Sequence, residues 1–98
     1  MDETNDFEAL VAEVMADRNA RVAYIENSIR REIAERFESA LAARGMGVQD
    51  FTARLGTGLA QARRVLAREV GGDLTLNTIC RAADLLGFDV EVRLTPKA

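Results

Sequence analysis

Apolar side chains recur along this chain at helical spacing as far as Gly87, after which the period changes to two. Phe7, Leu10, Val11, Val14 and Met15 fall at i, i+3, i+4, i+7 and i+8, an amphipathic stripe with carboxylates in its first turn to suit the helix dipole. A stripe of this kind has to pack on another surface. Val22, Ile25, Ile29, Ile33, Phe37 and Leu41 then lie along one side of a second helical pattern, with Glu26 and Arg30, and Glu32 and Arg36, at i,i+4 on the wet side. Asp17 is placed to cap that second helix and Gly45 to end it. No glycine or proline occurs before Gly45. Residues 4–44 therefore read either as two helices, which the Asp17 cap favours, or as one rod of about 60 Å.

Val48, Phe51 and Leu55 spell a two-turn helix that Gly47 starts as a tolerable N-cap and Gly56 closes. The Gly56-Thr57-Gly58 turn permits positive backbone angles, so the next helix can leave steeply. That helix is expected over residues 59–68, with Ala62, Val65 and Leu66 inward and Ala60, Gln61, Arg63, Arg64 and Arg68 on or near the open side. Gly71-Gly72 marks a loop, and Thr75 can cap a last helix whose stripe of Leu76, Ile79, Ala82, Ala83 and Leu86 stops at Gly87. Beyond it Phe88, Val90, Val92 and Leu94 alternate with Asp89, Glu91 and Arg93, the pattern of a strand, until Pro96 ends it. No second strand pattern exists to satisfy its ladder groups, so pairing with the twin strand of another copy, in a homodimer, is expected. The expected architecture is all-α with one C-terminal β-strand. An N-terminal helical arm covers residues 1–44, and residues 45–98 form the remainder of one compact unit.

Ninety-eight residues suffice for a single domain burying roughly 60 to 68% of its unfolded surface, a modest core that help from a twin chain would strengthen. The longest uncharged runs are about eight residues, against about 20 for a membrane span, so no membrane contact is expected. The start, with Asp2, Glu3 and Asp6, is the opposite of a basic secretory leader, and cytoplasmic residence is the expectation. A lone Cys80 forms no internal disulfide and is expected to pack as a small side chain. Without histidine there is no ordinary zinc site and no imidazole base, and no phosphate loop, EF-hand loop or nucleophile elbow occurs. Glu32, Glu35 and Glu38 are interleaved with Arg31 and Arg36 and read as a salt-bridged face. Enzyme chemistry is not expected, and neither metal nor cofactor is implied.

The net charge of −3 conceals an asymmetry. Residues 1–17 hold six acids and no base, leaving thirteen bases against ten acids in residues 18–98. Between residues 59 and 68 the bases Arg63, Arg64 and Arg68 stand without an acid, a local field that attracts a polyanion.

Over residues 41–94 the order of motifs resembles the helix-turn-helix of Xre-family (lambda-repressor/Cro-like) proteins. The matching strings are Gly45-Met46, Phe51, Ala53-Arg54-Leu55-Gly56, Arg64-Val65-Leu66, Leu74-Thr75-Leu76, Thr78-Ile79, Ala83 and Leu85-Leu86-Gly87. Phe7-Glu8-Ala9-Leu10 and the run from Met15 through Tyr24, with the ending Val90-Glu91-Val92-Arg93-Leu94, are similar to HigA-type antitoxins of that family. The resemblance implies a lambda-repressor-like bundle that binds double-stranded operator DNA as a homodimer, represses its own operon and holds a small toxin. The arm residues Phe7, Leu10, Val14 and Tyr24 are candidates for touching such a toxin, and the acidic head suits a basic one.

Within the resemblance, Gln61, Arg63 and Arg64 are the candidate base readers, and Arg44, Gln49, Arg54 and Arg68 the candidate phosphate contacts. The chain departs from the family where DNA would be touched. Gly47 and Val48 stand where family members carry Ser or Thr followed by Gln, Gln49 lies about 100° further round the helix, and Leu59 and Ala60 offer only apolar contact. Two other functions stay open: a stand-alone or phage-type repressor, and a protein-interaction module that has lost DNA binding.

Overall fold

The computed structural model describes residues 3–67 and 74–97. Five helices are present: α1 (Glu3–Ala16), α2 (Arg18–Ala43), α3 (Val48–Leu55), α4 (Leu59–Val65) and α5 (Leu76–Leu86). The fold is all-α among the described residues. The first two helices are separate because Asp17 takes an extended conformation (φ −77°, ψ 120°) and its carboxylate accepts the N–H groups of Asn19 (2.8 Å) and Ala20 (3.2 Å). That cap satisfies donors that one continuous rod would have bonded to its own backbone. Glu26–Arg30 (3.6 Å) and Glu32–Arg36 (3.4 Å) form on α2 as their spacing suggests, and Arg30 is buried.

The core is built from the second half of α2 and from α3, α4 and α5. Phe37 and Leu41 of α2 meet Phe51 and Leu55 of α3, Ala62 and Val65 of α4, and Ala82, Ala83 and Leu86 of α5. Phe51 and Val65 are the largest side chains wholly removed from water. Ala34, Ala62, Ala82 and Ala83 are buried too, and such small residues let neighbouring backbones approach closely. The core thus crosses residue 44, so the end of the arm is part of the bundle that follows it.

The rest of the arm is different. Among its described side chains, Phe7, Leu10, Val11, Val22, Ile25 and Ile29 are exposed, and α1 contributes nothing to the core cluster. The described side chains of the α1 stripe, Phe7, Leu10 and Val11, therefore stay exposed although α1 touches α2. The molecule is elongated, 54 × 28 × 23 Å, with a radius of gyration of 16.9 Å. A compact chain of this length would have about 13 Å.

The C-terminal segment corrects the expected strand. Residues 88–97 form neither helix nor strand, because alternation alone supplies no ladder and no second extended segment among the described residues lies beside them. Phe88 is anchored: its N–H donates to Ala83 O (2.8 Å) and its ring sits 5.7 Å from that of Phe37. Val90, Val92 and Leu94 are exposed, so the expected dimer-strand face is an uncovered apolar edge without regular structure. With Ile29, Ile33, Leu76 and Ile79, the segment borders a groove of about 530 Å³. Cys80 is also exposed rather than packed. No helix is long and apolar enough to cross a membrane among the described residues.

Three glycines at helix ends lie in the left-handed region, Gly45 (φ 61°) just past α2, Gly56 (φ 74°) after α3 and Gly87 (φ 83°) after α5. At Gly87 an added Cβ would lie 2.9 Å from the Arg44 guanidinium, which itself donates to Leu85 O (3.0 Å) at the end of α5. Gly87→Ala is expected to cost about 1–2 kcal/mol from backbone strain alone, with urea unfolding as the check. Phe51→Ala, which empties the centre of the core, is expected to cost about 3–5 kcal/mol in the same assay.

Candidate nucleic-acid interface

The α3 and α4 helices are two turns each, far too short to persist in water unaided. Their geometry is imposed by Phe51, Leu55, Ala62 and Val65, which the core holds, and by the turn between them. Gly56 closes α3 through its N–H to Thr52 O (3.2 Å), and Gly58 starts α4 from an extended conformation (φ −71°, ψ 160°). Gly47 and Gly58 carry no side-chain cap, so neither helix start has a hydroxyl or carboxylate over its backbone donors. The helix-turn-helix bounds legible in the sequence agree with these ends, except that α4 stops at Val65 and Leu66 takes the cap position.

The six described base-reader and phosphate-contact candidates fall into four groups. Arg63 is exposed on α4, beside exposed Leu59 and Ala60. Gln49 and Arg54 are exposed on α3. Gln61 and Arg64 are half-buried and engaged: Gln61 Nε2 donates to Thr78 Oγ1 (3.2 Å), and the Arg64 guanidinium donates to Gln61 Oε1 (3.2 Å). Because guanidinium can only donate, it fixes the Gln61 oxygen toward Arg64 and leaves the amide N–H₂ for Thr78. The Thr78 and Thr75 hydroxyls share a hydrogen bond (Oγ1–Oγ1 2.9 Å), and Thr75 Oγ1 also caps α5 by accepting Thr78 N–H (3.2 Å). Arg44 is committed to the end of α5 through Leu85 O. Arg68 lies outside the described residues, and so does the side chain of Val14 in the arm. Phe7, Leu10 and Tyr24 are exposed there.

Thr78 is the contributor that sequence reasoning missed. Its place three residues after Thr75 is a local signal for a cap. Its contact with Gln61 joins positions 17 apart, which no local pattern reveals.

Residues 48–65 carry Arg54, Arg63 and Arg64 against the single acid Asp50, so the field over the pair of helices is positive. The arrangement offers two exposed guanidiniums, at Arg63 and Arg54, a third held in place by an amide at Arg64, and an apolar edge at Leu59 and Ala60. These are groups suited to a guanine edge, a phosphate and a thymine methyl. Comparison of the chain with protein-family models, curated proteins and solved structures gave no match.

The bonding pattern separates the α4 residues by their effect on stability. A double-mutant cycle of Gln61→Ala with Thr78→Val is expected to show a coupling of about 0.5 kcal/mol or more in urea unfolding. Arg63→Ala is expected to stay within about 0.5 kcal/mol of the parent.

Proposed function

We propose that this chain is a sequence-specific DNA-binding transcriptional repressor of the Xre helix-turn-helix type, with α4 as the helix that enters the major groove. The observation that carries the reading is the α3–turn–α4 unit, two short helices around Gly56-Thr57-Gly58 with Arg63 projecting and no acid on α4. In this mechanism Arg63 meets base edges and Arg64, oriented by Gln61, meets a base or a phosphate. Arg54 and Gln49 hold the backbone and set register. Two copies place two such helices about 34–36 Å apart on a palindromic operator, where they occlude the promoter.

A second role, that of an antitoxin, is supported by the arm. The α1 segment carries Glu3, Asp6, Glu8 and Glu13 with no base, and Phe7, Leu10 and Tyr24 are exposed. An acidic surface with apolar side chains suits a small basic protein, and co-purification with the product of a neighbouring gene would test the role.

The test of the repressor is titration of the protein with its own upstream DNA at two salt concentrations against a scrambled duplex. Tight, salt-sensitive and selective binding is expected. Arg63→Ala is expected to cost about 1–3 kcal/mol of specific binding, and unchanged affinity would remove α4 from the reading role. No preference over the scramble would make the chain a protein-interaction module.

A further inference from the structure

Six large apolar side chains stand in water on the arm. Phe7, Leu10 and Val11 of α1 are 67, 57 and 44% exposed, and Val22, Ile25 and Ile29 of α2 are 55, 50 and 54% exposed. Together they offer on the order of 600 Å² of apolar surface, the top of the range for the largest patch on a monomer. A 14-residue helix is marginal in water by itself, so α1 requires cover. Its contact with α2 in the same chain leaves these described side chains of both stripes exposed.

The charges identify what fits. Four acids and no base lie on α1, whereas on residues 18–31 of α2 the buried Arg30 is paired with Glu26, the single acid there, which leaves Arg18, Arg21 and Arg31 in excess. Each segment therefore pairs an apolar stripe with a charge sign that the other complements. We propose that a second copy of this chain covers the arm, with α1 of each copy lying on the first half of α2 of its partner in a two-fold pair. Two-fold symmetry uses the match twice, since α1 meets α2 in one half of the interface and α2 meets α1 in the other. The two arms pool roughly 1,200 Å² of apolar surface, the lower bound of a specific, stable interface. The inference does not depend on DNA binding, and a basic protein would compete with the second copy for the same surface.

The test is the mass of the full chain in solution, by light scattering on a sizing column, from low micromolar to submillimolar concentration. A monomer–dimer equilibrium is expected, and Leu10→Glu or Ile25→Glu should weaken it about tenfold or more. Both positions are exposed and lie outside the core, so the bundle should keep its stability to urea. Glu8→Arg with Glu13→Arg, and separately Arg18→Glu with Arg21→Glu, should each weaken self-association, and mixing the two variants should restore the dimer. A monomer at every concentration would overturn the proposal and leave the arm to a basic protein of another sequence. A dimer indifferent to the Leu10 and Ile25 substitutions would overturn it by placing the interface elsewhere. Failure of the DNA reading would appear in the duplex titration and leave these masses unaffected.

Discussion

Burial of Phe51 and Val65 between α2 and α5 is the constraint on which the other features rest. Helices of eight and seven residues lose more conformational entropy than their few internal hydrogen bonds return, so α3 and α4 exist because the core holds one face of each. The remaining faces are thereby fixed as well. Arg63 projects from α4 because Ala62 and Val65, its neighbours in sequence, cannot turn outward without emptying the core. The small side chains Ala34, Ala62, Ala82 and Ala83 do the complementary work of keeping interhelical distances short, which leaves little room for rearrangement.

A polar chain ties α4 to α5 beside this apolar contact. It runs from Arg64 through Gln61 and Thr78 to Thr75, and it contains both the cap of α5 and the amide that orients Arg64. Stability and presentation are therefore carried by the same atoms. Gln61 serves as a positioning residue more than as a reader, and the exposed chemistry of α4 narrows to Arg63 with an apolar flank.

Helix ends were legible in the sequence because their causes are local. Asp17, Gly47, Gly56, Thr75 and Gly87 each act on backbone groups within a few residues, and each occupies the cap position its chemistry suggests. Most of the core stripes of α3 and α5 was legible for the same reason, although Val48 and Leu76 prove exposed. What could not be read locally depended on partners distant in sequence. Periodicity showed that the α1 stripe and the first half of the α2 stripe are apolar, but not that their described side chains would stand exposed. The alternation after Gly87 described which side chains would share a face of a strand, yet a strand also needs a neighbour, and none lies among the described residues. The half-burial of Gln61 and the commitment of Arg44 to Leu85 likewise arise from contacts that span the fold.

The uninterrupted run of α2 gives the molecule a mechanical character. Its 26 residues make a rod of about 39 Å, with Ile25 and Ile29 in water at one end and Phe37 and Leu41 inside the bundle at the other. The break at Asp17 precedes the rod, so α2 runs without interruption from its exposed half to its buried half. A contact made at Ile25 and Ile29 is thereby made on the same helix that carries Phe37 and Leu41 into the core with α4.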